Sequence, residues 1–186
     1  IIDLRHYLED ELDMHHVSAS FSSRLRMLRE QGQADNQLIW MTRKPHTPIS
    51  AAFNLIDRWL TNFLNHPEAG VVGNKPIDAL DKCFNSEGHL LAEGAGVWDG
   101  PWNYRQPGEC TKVYPSFTNS RVVAGADIAS DIFKCPLISV EEAIERGIYV
   151  ITDKQFFEPY LARHKAIFPQ GVCDYSQPDM GKPADL

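Results

Sequence analysis

The chain has 186 residues, of which 43% are hydrophobic and 23% charged, and this composition is that of a globular protein rather than a disordered tail. Its formal charge of −7 comes from 25 acidic residues with 18 basic residues scattered among them, which argues against a nucleic-acid partner because phosphate binding needs a basic face. No run of residues approaches the ~20 consecutive apolar positions that would span a bilayer.

The chain opens with a predicted strand followed by a helix. An apolar run begins at Ile1. A helix is predicted from about Val17 to Gln31, because Phe21, Leu25 and Leu28 recur at helical spacing on one face. A glycine directly after this segment supplies the expected stop.

A second strand and a second helix follow. Residues Gln37 to Met41 form a short apolar run behind a polar turn, which is typical of a buried strand parallel to the first. The next helix is predicted from Ala51 to Asn65, with Ser50 as its N-cap. The residues predicted on its buried side are Phe53, Ile56, Trp59, Leu60 and Phe63.

Composition changes after residue 65. Residues 66–186 are rich in Gly, Pro and Asn and show little sustained periodicity, so an irregular segment that wraps the first 65 residues is predicted. Two short helices are expected within it, since Ser139 and Thr152 each begin a capping-box pattern. The predicted organisation is therefore a β-α-β-α core over residues 1–65 and a wrapping segment over 66–186.

Four cysteines all lie in this second segment: Cys83, Cys110, Cys135 and Cys173. No C-x-x-C spacing is present, which favours two disulfides over a zinc site and favours an exported protein. Four cysteines allow three pairings, and the sequence does not choose among them. The predicted pairing joins neighbours, Cys83 with Cys110 and Cys135 with Cys173, whose loops of a few dozen residues are each worth roughly 3 kcal/mol or more of unfolded-state constraint. Reduction is expected to loosen residues 66–186 before the sheet.

The order of elements in residues 1–65 is that of the end of an α/β-hydrolase sheet. There the triad acid follows one strand, the His follows the last strand, and the Ser comes earlier in the chain. His46 is the predicted general base, because it follows the second strand and imidazole titrates near neutrality. Asp13 is the predicted acid, with Asp10 and Asp3 as alternatives and a helix N-cap as its non-catalytic interpretation.

Three further residues are assigned to substrate binding. His15 is expected at the rim of the site, and the rings of Trp98 and Trp102 suit a sugar or an aryl ester. Alternatively, the two indoles pin their loop to the core. Asp13 with His15 and His16 could hold a metal, but adjacent side chains point in different directions, so neither a metal nor another cofactor is predicted.

Several segments along the chain carry a resemblance to a known family: Ile2 to Tyr7, Asp13 to His15, Ser20 to Arg24, Ala34 to Trp40, Asp57 to Leu60, Asn74 to Pro76, Lys134-Cys135 and Phe168 to Ser176. They resemble the carboxyl-terminal part of a bacterial family of exported α/β-hydrolase-like proteins, similar in architecture to tannases and feruloyl esterases. The resemblance implies this fold, export, and a missing amino-terminal part that bears the Ser.

The predicted function is therefore that of a fragment or subunit of a secreted or periplasmic serine hydrolase that cleaves a small or oligomeric carboxylic ester. A companion polypeptide is expected to carry the nucleophilic Ser and the rest of the sheet, without which this chain should not fold alone. An amidase or peptidase with the same triad is an alternative. A non-catalytic binding or scaffold subunit is another.

Overall fold

A computed structural model describes residues 1–12, 15–123, 125–148 and 157–182. Two compact units make up the chain, Ile1–Phe117 and Thr118–Leu186. Asp13 and Thr152 lie outside the described residues. No helix in the described ranges is long and apolar enough to cross a membrane.

The first unit is built on a mixed sheet. Its described strands are, in spatial order, β1 (Ile2–His6), β2 (Leu38–Thr42), β3 (Lys82–Phe84) and β4 (Leu90–Glu93). The first three are parallel to one another, and β4 returns antiparallel to β3. The predicted parallel pairing of the first two strands is confirmed, and their carboxyl ends lie side by side because residue 6 pairs with residue 42.

The connection from β1 to β2 contains a short turn of helix, α1 (Glu9–Leu12), and the predicted first helix, α2 (Ser18–Gln31). The predicted stop is confirmed: Gly32 has a left-handed φ of 72°, and its N–H donates to the carbonyl oxygen of Leu28. Phe21 is buried on the inner side of α2.

The second predicted helix is confirmed as α3 (Ile49–Asn65), which packs on the sheet. The predicted cap is wrong, because the helix begins two residues earlier than expected: Pro48 is its N-cap, and Ser50 lies within the helix. Leu55 and Trp59 are buried against Leu38 and Trp40 of β2. The Trp59 indole also donates to a backbone oxygen at 2.7 Å, which anchors the helix to the loop that follows it.

The buried side of α3 agrees only in part with the predicted side: Trp59 is buried as predicted, but three other residues are not. Phe53, Ile56 and Leu60 were expected to face the core but are 67%, 39% and 54% exposed. The helix is apolar on two sides, and the side that meets the sheet presents Leu55 and Trp59, whose indole also donates to the backbone oxygen of Val71 beyond the helix. The outward apolar surface, called the α3 stripe below, consists of Ile49, Phe53, Ile56, Leu60 and Leu64.

The remaining elements are short. In the first unit they are α4 (Gly70–Gly73) and α5 (Glu109–Val113). In the second they are α6 (Ser120–Val123), β5 (Leu137–Ile138), α7 (Val140–Glu145), α8 (Phe157–Ile167) and β6 (Val172–Cys173). The predicted cap at Ser139 is confirmed, since its hydroxyl oxygen accepts from the N–H of Glu142 at 3.0 Å.

Both disulfides are present with the neighbouring pairing. Cys83 is bonded to Cys110 in the first unit, and Cys135 to Cys173 in the second. Cys83 belongs to β3 and is fully buried, so the first disulfide ties the sheet itself to α5.

Candidate functional site

The candidate site lies at the carboxyl edge of the sheet, where two loops leave neighbouring parallel strands. The first loop, residues 7–17, follows β1, and the second, residues 43–48, follows β2. His46 lies on the second loop, before α3, as the sequence predicts. Catalytic groups are commonly presented at this edge because loops from adjacent strands converge there.

The His46 ring is enclosed by β3 and the turn that follows it. Its centroid lies 5.7 Å from that of Phe84. Gly88 in the turn has a φ of +89°, and a Cβ built there would lie 2.8 Å from two ring atoms of His46. The Nε2 atom of His46 is buried and has no hydrogen-bond partner among the described residues.

The backbone of the second loop is held by the ends of both strands. His6 Nε2 lies 2.7 Å from Thr47 Oγ1 and 3.1 Å from the carbonyl oxygen of His46. The Thr42 hydroxyl donates to the same carbonyl oxygen at 3.3 Å. These contacts fix where the His46 backbone stands relative to the sheet.

Arg43 connects the second loop to the first. Its guanidinium donates to both carboxylate oxygens of Asp10, at 2.6 and 3.3 Å, and reaches Glu11 Oε1 at 3.5 Å. The hydrogen bond between them lowers the pKa of the Asp10 carboxyl and raises that of Arg43. Asp10, an alternative candidate for the triad acid, is therefore paired with Arg43.

Glu9 is a buried carboxylate that sequence reasoning missed. It is 2% exposed, and its Oε1 accepts from the N–H of Val17 at 2.6 Å. Burial raises its pKa, against the opposing effects of the Val17 hydrogen bond and of the charges of His16 and Arg5. A charged residue in an acidic run is usually solvated, so no signal in the sequence distinguishes Glu9 from its neighbours.

Glu9→Gln should stabilise the folded protein increasingly as pH rises. A carboxyl whose pKa is higher in the folded state stabilises the protein fully below its unfolded pKa, near 4.5, and this contribution is lost as pH rises through the folded pKa. Glutamine keeps the oxygen that Val17 needs and carries no charge. Urea unfolding of both proteins between pH 4 and pH 8 measures the difference.

Glu11→Gln is the matched control. Glu11 is also a glutamate on α1, so the substitution is chemically identical to that at Glu9, but the Glu11 side chain is 58% exposed. Its effect on the free energy of unfolding should vary little over this pH range. A Glu9→Gln protein whose advantage stays constant or shrinks between pH 4 and pH 8 would contradict the raised pKa of Glu9.

The predicted rim residue lies on an open cleft. His15 is exposed, has a left-handed φ of 55°, and its carbonyl oxygen accepts from Arg5 at 3.4 Å. With residues of β1 it lines a cavity of about 350 Å³. The other residues of this cavity are Asp3, Leu4, Arg5, His6 and Leu8. Asp13, the predicted acid, falls outside the described residues, so its position relative to His46 stays a prediction.

The two tryptophans predicted to bind substrate are buried. Trp98 is 1% exposed, and its indole donates to the backbone oxygen of Ile39 at 3.0 Å. Trp102 is 7% exposed, donates to the Trp98 oxygen and stacks on Phe21 with ring centroids 5.4 Å apart. These contacts fit the alternative interpretation, in which the indoles pin their loop to the core.

The chain is thus a mixed α/β protein with two disulfides, and its candidate site lies at the carboxyl edge of its parallel strands. The chain belongs to the tannase-like family of unknown function DUF6351, whose family model matches residues 1–184. The predicted likeness to tannases is thereby confirmed. At a coarse level, this membership indicates an esterase-like hydrolase.

Similarity to individual proteins is limited. Over 80 residues, 43% of this chain, the sequence is 30% identical to the serine/threonine-protein kinase/endoribonuclease IRE1 of Hypocrea jecorina (strain QM6a). The matched stretch spans 6% of that protein. No solved structure matches the chain.

Proposed function

We propose that this chain forms part of an exported serine esterase, in which His46 is the general base and Asp13 the acid that orients it. The observation that carries the proposal is the His46 Nε2 atom, which is buried at the carboxyl edge of β2 without a hydrogen-bond partner among the described residues. Leaving such a group unpaired costs about 1–3 kcal/mol, so a partner such as a serine hydroxyl would stabilise the site.

The proposed chemistry is acyl transfer. His46 Nε2 takes the proton of the serine hydroxyl as its oxygen attacks the ester carbonyl carbon, and then returns that proton to the departing alcohol oxygen. Water hydrolyses the acyl-enzyme by the same route. Asp13 would hold the imidazole tautomer and stabilise the imidazolium formed at each step. Membership of a tannase-like family favours an ester over an amide as substrate.

The serine is proposed to lie on a companion polypeptide or on further sequence of the same protein. The α3 stripe supports this proposal, because five large apolar side chains on one helix face are exposed in this chain. Strand β1 also pairs only with β2 among the described strands, so its other edge is open to a further strand. Both surfaces are available to a further polypeptide.

Export is proposed from the disulfides. Both cysteine pairs are bonded, and such bonds persist mainly in the periplasm or outside the cell. The tannase-like family fits the same compartment.

Labelling with a fluorophosphonate tests the proposed function. The complete protein, purified with any companion chain, should be labelled at one serine. Its activity towards a chromogenic aryl ester should fall in proportion to the fraction of protein that is labelled. Peptide mapping of the labelled material identifies the chain that carries the serine. An unlabelled protein without esterase activity would overturn the proposal.

A further inference from the structure

Arg43 makes contacts that ordinary surface ion pairs lack. It bonds both oxygens of Asp10 in a fork, although the side chains of Arg43 and Asp10 are 33% and 45% exposed. A pair this exposed contributes little to folding, because solvent and salt screen the two charges. Its geometry, rather than its contribution to stability, therefore distinguishes it.

The guanidinium also rests on two buried tyrosine rings. It lies 4.9 Å from the centroid of Tyr7 and 5.7 Å from that of Tyr114, within the range of cation–π attraction. The rings are 3% and 1% exposed and lie 5.1 Å apart.

Each tyrosine is fixed by its own hydroxyl. Tyr7 donates to the carbonyl oxygen of Pro115 at 2.7 Å, and Tyr114 donates to that of Phe84 at 2.6 Å. Burial raises the pKa of Tyr7 to about 12, so its phenol keeps the proton that it donates. The two fixed rings thus hold the Arg43 guanidinium in one plane, with two of its N–H groups directed at the Asp10 carboxylate. A lysine ammonium has neither the planar shape nor the paired donors to make both contacts.

The residues joined in this way occupy matching places in the two loops. Asp10 precedes Asp13 by three residues, and Arg43 precedes His46 by three. The strands that lead into the loops are parallel and in fixed register. An ion pair at this point therefore restricts how far the first loop can move from the second.

We infer that Arg43 is a positioning residue that joins the loop after β1 to the loop after β2 and so sets the placement of His46 relative to the first loop. Its catalytic consequence rests on the proposed function. A misplacement of about 1 Å between catalytic groups can cost on the order of 10²-fold in rate.

The test compares Arg43→Lys, Arg43→Gln and Asp10→Asn with Lys44→Gln in the complete protein. Lys44 is the neighbouring exposed cation on the same loop and serves as the control. Hydrogen exchange of residues 9–12 and 43–48 measures whether the loops are joined. The maximal rate of ester hydrolysis, divided by the concentration of sites that a fluorophosphonate titrates, gives kcat per active site.

Arg43→Lys and Arg43→Gln should exchange faster in both loops and lose about 10- to 100-fold in kcat per titrated site, with KM changed by less than about threefold. Arg43→Gln combined with Asp10→Asn should be no worse than either change alone, because the two side chains act as a unit. Lys44→Gln should match the wild type.

Unchanged exchange in both loops would overturn the inference. So would a normal kcat per titrated site with fewer titratable sites, because that result indicates a structural role only. A wild-type protein that does not react with the fluorophosphonate would overturn the proposed function and the catalytic consequence with it, while the exchange data would still decide whether Arg43 joins the loops.

Discussion

His46→Ala is expected to lower the kcat of ester hydrolysis by about four to six orders of magnitude, the usual cost of removing a triad residue. The fold should survive, because the ring lies in a loop and the substitution removes a buried nitrogen that has no described partner. Stopped-flow or other single-turnover assays of the complete protein measure the loss of activity, and circular dichroism checks that the fold is intact.

His89→Ala is the control for a general effect of losing a histidine, since the His89 side chain is 76% exposed in the neighbouring turn. Its activity should stay within about twofold of the wild type, because the substitution removes an exposed side chain to which no part of the proposed chemistry is assigned. Asp13→Asn should lower kcat by about 10⁴-fold through the wrong imidazole tautomer. If His46→Ala stays within a factor of about ten while His15→Ala is inactive, the base belongs to the first loop and our assignment is wrong.

Secondary structure in the first 65 residues follows closely from the sequence because local signals agree there. The apolar run of β2 is buried at every position from Leu38 to Thr42. Gly32 ends α2 through a left-handed conformation that glycine adopts without strain. The neighbouring disulfide pairing is confirmed, although four cysteines leave three pairings open in the sequence.

The orientation of α3 could not be predicted in the same way. Phe53 and Leu60 give as strong an apolar pattern as Leu55 and Trp59, and the buried side is decided by which of the two meets the sheet. An apolar pattern in the sequence shows that a helix has a face to bury, but it does not show which surface will cover that face.

Charged residues at the candidate site were the least predictable. Glu9 and Arg43 look like solvated positions in the sequence, because their burial and pairing depend on Val17, Asp10 and Tyr114, which come from other parts of the chain. His46 could be located because its place after a strand is a local property. The contacts that hold it are tertiary and have no local signature.

The disulfides are expected to contribute more to stability than any single side-chain contact. Closing loops of 27 and 38 residues constrains the unfolded chain by roughly 3.5 and 4 kcal/mol in the chain-entropy model. The sequence suggests that reduction spares the sheet, since residues 1–65 contain no cysteine. That expectation needs correction, because Cys83 stands in β3 opposite Met41 of β2.

Replacing Cys83 and Cys110 together by alanine should therefore lower the free energy of unfolding by roughly 3.5 kcal/mol. It should also speed hydrogen exchange in β3, in β4 and in the turn that holds Gly88 against His46. The matched pair Cys135→Ala and Cys173→Ala should destabilise the second unit by about as much and leave exchange in β3 and β4 unchanged. Denaturant unfolding and exchange mass spectrometry separate the two effects. Titration of four free thiols in the native, unreduced protein would show that neither bond forms, and would remove the argument for export that rests on them.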